Sequence, residues 1–236
     1  MTLKDKLISQ GFDNAELIIR SGKVRVNNEV VFLPLVKIKE TDKILIEQQK
    51  EFVSRGAYKL LAAIKEFDLN FQDKVVLDVG SSTGGFTQVC LLNGAKTVYA
   101  LDSGTNQLDY SLRIQKNVKV MEKTNIKNVN PTFFKEQIDS IVCDVSFISL
   151  NYVVPIAASL LKPKSDFVVL FKPQFEASSK YVEKGGYVDL QYHDFLINRF
   201  LNFAKENFNF IGKIESPITG KKSKNTEYII YFQKNE

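Results

Sequence analysis

The segment Lys74-Val-Val-Leu-Asp-Val-Gly-Ser-Ser-Thr-Gly-Gly-Phe86 narrows the folds open to this chain more than any other. It reads as a buried strand, a glycine turn and the start of a helix. Gly80, Gly84 and Gly85 let the backbone turn sharply and approach a neighbour with no Cβ in the way. The helix after Gly85 directs its free N–H groups at the same spot. Strands buried on both faces appear as unbroken apolar runs. TVYALD, VKVM, IDSIVCDV and DFVVLFK repeat that signature, with helical stretches between them. The alternation predicts an α/β fold with a mostly parallel, doubly wound sheet. FIGKIES and EYIIYF, joined by a basic loop without a helix, predict a terminal antiparallel pair.

The 236 residues are 44% hydrophobic and 25% charged, enough for one sizeable core plus a small module. Collagen-like, low-complexity and disordered classes are excluded. No apolar run approaches the roughly 20 residues that span a bilayer. The opening MTLKDKLISQG lacks the unbroken apolar stretch of a signal peptide. Cys90 and Cys143 lie inside apolar segments, so no disulfide framework is expected and a cytoplasmic location fits. Residues 1–47 differ in texture from the rest. Leu3, Leu7 and Ile8 fall at helical spacing, AELIIRSG reads as a second short helix, and Asn27-Asn28 suits a tight hairpin turn before a further strand, KILIE. Residues 48–53 read as a polar linker. Ser54 then caps a helix to about Phe67, and residues 54–236 form the α/β domain.

The glycine loop is G-x-x-x-G-G, not the G-x-G-x-x-G of dinucleotide enzymes. Asp102 ends the next strand 22 residues past Gly80, where a carboxylate grips two ribose hydroxyls. Asp78, two residues before Gly80, is placed to hold an ammonium group. S-adenosylmethionine carries an amino acid end and no phosphate, so it suits an acidic loop that would repel pyrophosphate. It is the cofactor expected here, at Asp78, Gly80, Ser81, Ser82, Gly84, Gly85, Phe86 and Asp102. The bland alternative is a turn whose glycines serve packing alone.

Four charged residues occupy expensive places. Asp144 ends IDSIVCD, Lys172 ends VVLFK ahead of Pro173, Lys59 lies beside Leu60 and Leu61, and Glu227 begins EYIIYF. Ligands of α/β sheets bind at the carboxyl ends of the strands. A final antiparallel strand begins at that same edge, so topology allows all four to meet. Two amines and two acids keep a buried cluster neutral. They also suit methyl transfer to a hydroxyl, because a lysine beside a second cation in a partly desolvated pocket moves toward a usable base. Any one of the four reads alone as a rim salt bridge; the set does not.

VSRGAYKL, LDVGSSTGGFTQ, ALDSGTNQL, EKTNIKN, CDVSFISL, LFKPQFEA and KGGYV, in this order, resemble the TlyA (haemolysin A) family, whose members carry an FtsJ-like methyltransferase domain. The resemblance covers essentially residues 53–233. It implies a Rossmann-like, S-adenosylmethionine-dependent methyltransferase fold and 2′-O-methylation of ribose, on cytidines of ribosomal RNA, free or in a subunit. It carries the family's Lys-Asp-Lys-Glu set onto Lys59, Asp144, Lys172 and Glu227, with Lys172 nearest the reacting hydroxyl, and puts Asn125 near the adenine. The N-terminal α+β module is similar to the RNA-binding fold of small-subunit ribosomal protein four. It is about a helical turn shorter between Gly11 and Gly22, and opens Met1-Thr2-Leu3-Lys4 where Arg-Leu-Asp is customary.

The 32 Lys+Arg against 27 Asp+Glu leave a net charge of +5, which permits nucleic acid without demanding it. Arg20, Lys23 and Arg25 in the module, Arg55 before the α/β helix, and Lys221, Lys222 and Lys224 in the last loop are the candidate RNA contacts. His193, the only histidine, has no Cys, His or paired acid nearby, so no metal site is expected. It reads as structural or substrate-adjacent. Cys143 lacks a histidine partner to act as a nucleophile. Two rival functions stand beside RNA methylation: a non-catalytic ribosome-assembly factor that keeps the fold, and a secreted lytic protein, disfavoured by the missing export signal.

Overall fold

The computed structural model describes residues 1–47, 51–219 and 225–236. These form two compact units. The smaller comprises Met1–Glu51 with Asp109–Gln115, and the larger Phe52–Leu108 with Lys116–Glu236.

The smaller unit contains α1 (Leu3–Ser9), α2 (Ala15–Arg20), β1 (Val24–Val26), β2 (Glu29–Val30) and β3 (Ile44–Ile46). Thr2 caps α1 by accepting from the Asp5 amide. Asn27 and Asn28, at φ 51° and 71°, make the β1–β2 turn as their tolerance of positive φ predicts. The ribbon runs β2-β1-β3 and closes over Leu3, Leu7, Ala15, Ile18, Ile19 and Val24.

The larger unit opens with α3 (Ala57–Phe67), then β4 (Val75–Val79), α4 (Gly85–Leu92), β5 (Thr97–Leu101), β6 (Val118–Met121) and β7 (Ile138–Cys143), with α5 (Tyr110–Arg113) of the smaller unit between β5 and β6. α6 (Val154–Leu160), β8 (Leu161–Phe171), α7 (Pro173–Glu176), α8 (His193–Ala204), β9 (Phe208–Glu215) and β10 (Tyr228–Lys234) follow. The sheet order is β6-β5-β4-β7-β8-β10-β9. Neighbours from β6 to β8 are parallel, whereas β10 is antiparallel to both β8 and β9. The expected antiparallel pair is present, but the last strand lies inside the sheet and β9 takes the edge.

Apolar residues cover both faces. One core gathers Leu77, Val79, Ile141, Val169 and Phe171 under α6 and α8. The other gathers Val76, Val142, Val168 and Leu170 under α3 and α4, with Phe52 among its members. The polar-linker reading of 48–53 therefore does not hold at its end: Phe52 is buried and edge-on to Tyr58, and the Val53 amide donates to Gln88. Residues 48–50 lie outside the described residues. Ser54 does not cap α3, which begins three residues later at Ala57, after Gly56, and lacks a side-chain cap.

Candidate active site

Every parallel strand of the larger unit points its carboxyl end at one edge, and the charged residues collect there. Asp144 follows β7, its amide donating to the Val79 carbonyl at 2.9 Å. Lys172 follows β8. Because Tyr228 pairs with Phe171, the reversed β10 starts Glu227 beside Lys172. Lys59 reaches the same point from α3. The Lys59 ammonium lies 2.7 Å from Glu227 Oε2 and 3.7 Å from Asp144 Oδ2. The Lys172 ammonium lies 2.6 Å from Asp144 Oδ1 and donates to Ser146 Oγ at 2.8 Å. The Asp144 Oδ1 contact has ion-pair distance without hydrogen-bond alignment. Lys59, Lys172 and Glu227 are buried and Asp144 half-buried. Asp144 bridges the two amines, giving one chain of alternating charge. The placement expected from the sequence is thus realised for all four residues. Buried ion pairs seldom repay their desolvation in stability, which makes such a network a candidate functional site.

A cleft of about 550 Å³ shares a wall with this chain of charges. Its lining includes Gly80, Ser82, Asp102, Asn125, Ser146 and Phe147. Ser146, the hydrogen-bond partner of Lys172, joins cleft to charges. Asp102 Oδ2 accepts from the Ser82 amide at 2.8 Å and Oδ1 from the Gly104 amide at 2.7 Å. Asn125 Oδ1 accepts from the Lys127 amide at 3.0 Å and so fixes the turn beneath it. Gly80, at φ +81°, sits where a Cβ would come within 2.6 Å of the Asp144 carbonyl oxygen. A clash with backbone leaves only glycine there.

Residues 52–234 match the FtsJ-like methyltransferase family. The chain belongs to that family. Hemolysin A of Brachyspira hyodysenteriae is 41% identical over 98% of this chain and 99% of its own length. The 16S/23S rRNA (cytidine-2′-O)-methyltransferase TlyA of Mycobacterium tuberculosis is 34% identical over 96% of the chain and 85% of its own length. The crystal structure of a candidate hemolysin from Lactococcus lactis, 41% identical, superposes with a TM-score of 0.75 over 78% of this chain and 89% of its own.

Within this FtsJ-like domain the glycine-loop residues divide. Gly80, Ser82, Asp102 and Asn125 line the cleft; Asp78, Ser81, Gly84, Gly85 and Phe86 do not. Asp78 differs most from its reading as an ammonium holder. Alternation along β4 puts Val75, Leu77 and Val79 on one face and Asp78 with Val76 on the other, toward α4. There Asp78 is fully buried, Oδ2 accepts from Thr87 Oγ1 at 2.6 Å, and Oδ1 has no partner. Burial above all, then the charges of Asp144 and Asp102, pushes its pKa up to about 7. Gly85 lets α4 approach Ser54 and Ala57, and Phe86 is core. Both serve helix packing.

The basic candidates are also unequal. The Arg20 guanidinium pairs with Glu16 at 3.0 Å, and Arg25 with Glu47 at 3.4 Å and the Asn28 carbonyl at 3.1 Å. Lys23 is half-buried and Arg55 exposed, while Lys221, Lys222 and Lys224 lie outside the described residues. Burial, reinforced by Asp144, pushes the Cys143 thiol up, which removes it as a nucleophile. Among the described residues no helix is long and apolar enough to cross a membrane, and no group of three or more His, Cys, Asp or Glu is placed to hold a metal.

Sequence reasoning passed over Ser146, Phe147 and Glu176. Phe147 holds a φ of +64° and is 91% exposed, its ring 5.0 Å from that of Phe175. Glu176 accepts from the Ser149 hydroxyl at 2.7 Å and the Leu150 amide at 2.8 Å, tying the loop after Asp144 to α7 after Lys172. A bulky residue at positive φ is unfavourable and persists where the surroundings impose it. CDVSFISL carried that information only as a family signature.

Proposed function

We propose that this chain is an S-adenosylmethionine-dependent methyltransferase acting on a ribose 2′-hydroxyl of ribosomal RNA, with a cytidine as the target nucleoside and the cytoplasm as its place of work. The observation that supports it above all is the convergence of Lys59, Asp144, Lys172 and Glu227 beside the cleft of the glycine loop. The cleft suits the donor: its size is in the range of small-molecule pockets, and the Asp102 carboxylate at the strand end is placed for a nucleoside's vicinal hydroxyls. S-adenosylmethionine supplies a methyl group already made electrophilic by its sulfonium, so no separate activation of that carbon is needed.

What the protein adds is position and proton management. Asp102 and Asn125 orient the nucleoside end. Lys172 would be the group that takes the proton released from the 2′-hydroxyl during transfer. Asp144 and Ser146 fix its amine, and Lys59 with Glu227 balances the charge around Asp144. Alignment of hydroxyl and methyl supplies much of the rate. The smaller unit is read as an RNA-contacting module, with Lys23 less committed to internal partners than Arg20 or Arg25.

Lys172→Ala tests the reading. Transfer of labelled methyl to ribosomal RNA should fall by at least about 10²-fold with RNA affinity at a fixed salt concentration nearly unchanged. Full activity in that variant would remove Lys172 as the base, and an inactive wild-type chain that still binds RNA would favour the assembly-factor reading.

A further inference from the structure

Glu227 is reached by a strand entrance that a separate group of buried polar residues holds. Asn225, two residues earlier, is fully buried. Its Oδ1 accepts from the Val188 amide at 2.9 Å and its Nδ2 donates to the Gly186 carbonyl at 2.7 Å. Tyr228, the next residue after Glu227, meets His193 Nδ1 at 2.9 Å, and His193 Nε2 lies 3.0 Å from the Val188 carbonyl. A carbonyl only accepts, so Nε2 carries the proton and Nδ1 accepts from the tyrosine hydroxyl. Val188 therefore has its amide taken by Asn225 and its carbonyl by His193, the partner of Tyr228, while its side chain sits in the core.

This circuit ties the side chains of Asn225 and Tyr228, on either side of Glu227, to the 186–188 segment. The Glu227 carbonyl itself accepts from the Ser216 amide at 2.8 Å. The side chains of Asn225, His193 and Tyr228 are buried and hydrogen-bonded, which makes the arrangement stiff: breaking one link orphans its partner. Asn225, His193 and Tyr228 are not part of the cleft lining.

We propose that Asn225, His193 and Tyr228 are positioning residues. They fix Glu227 through the 186–188 segment, and Glu227 sets the Lys59 ammonium 2.7 Å away. The inference rests on the role given above to the Lys-Asp-Lys-Glu set. It assigns to the KGGYV segment and the lone histidine a task in turnover without contact with substrate.

The test is a double-mutant cycle on the full chain in steady-state assays, with ribosomal RNA in excess and S-adenosylmethionine varied. Asn225→Ala and Tyr228→Phe are each combined with Glu227→Gln. Each single variant should lower kcat about ten-fold, the scale of a sub-ångström misplacement, with the KM for S-adenosylmethionine unchanged. In the Glu227→Gln background the same changes should add less than about two-fold, because their effect passes through the residue already altered. Tyr228→Phe keeps the ring and its packing, so it stays informative if Asn225→Ala does not fold. Additive losses, or no loss in Tyr228→Phe, would overturn the positioning role. Wild-type turnover in Glu227→Gln alone would instead refute the role of Glu227 and take this inference down with it.

Discussion

Gly80→Ala probes the junction between cleft and charges with a single methyl group. The new Cβ would lie 2.6 Å from the Asp144 carbonyl oxygen, 3.0 Å from its carbon and 3.2 Å from the Val145 Cα. All three are backbone atoms, so no side-chain rotation relieves the contact. A left-handed backbone costs a non-glycine residue about 1–2 kcal/mol, and overpacking of this kind adds about 1–3 kcal/mol. At about 3 °C per kcal/mol for a chain of this size, the Tm should fall by about 6–15 °C. The displaced segment begins at Asp144 and lines the cleft through Ser146 and Phe147, so affinity for S-adenosylhomocysteine should drop at least about ten-fold. Gly185→Ala is the control: its φ is +93° and nothing lies within 4 Å of its would-be Cβ, so it carries dihedral strain alone. Thermal unfolding and calorimetric titration of both variants separate the two terms. Equal Tm values for the pair, with wild-type affinity in Gly80→Ala, would refute the reasoning.

Asp78→Asn should make stability less dependent on pH. The Asp78 pKa of about 7 stands above its ordinary 3.8, so the folded state holds the proton more tightly. Wild-type stability then falls as pH rises from about 4 to about 7 and stays low above that. Asparagine keeps a neutral acceptor for Thr87, so its Tm should exceed wild type at pH 8 by a clearly wider margin than at pH 4; an equal gap at both pH values contradicts the assignment. Asp102→Asn leaves either the Ser82 or the Gly104 amide facing an NH₂ group, a loss of about 1–3 kcal/mol. Calorimetry with S-adenosylhomocysteine should show affinity lowered about 10–100-fold, and wild-type affinity would remove Asp102 from the cofactor site.

The strands were readable because sheets covered on both faces leave continuous apolar runs, and each of the seven predicted runs forms a strand of the larger sheet. Lys59, Asp144, Lys172 and Glu227 stood out because charge at the end of such a run, or beside buried leucines, is expensive. Asp78 misled for the opposite reason. It stands two residues before the cleft-lining Gly80, but a period of two turns its side chain toward Thr87 and α4. Phe52 misled because a single aromatic among Gln, Lys and Glu gives no periodicity from which to read burial. Asn225 and His193 carry no local signature at all. Their roles depend on a turn 37 and five residues away respectively, a pairing that only the folded chain creates.

The position of β10 has a bearing on how the enzyme matures. Lys59 and Glu227 are 168 residues apart, and β9 has β10 as its strand partner, so an intermediate without β10 leaves the rim of β8 open and an amine without its acid. Completion of the Lys-Asp-Lys-Glu set therefore requires β10 to close the sheet. A partly folded chain with a formed nucleoside cleft would bind the donor yet stay idle, and the onset of turnover after dilution from denaturant would time the docking of that one reversed strand.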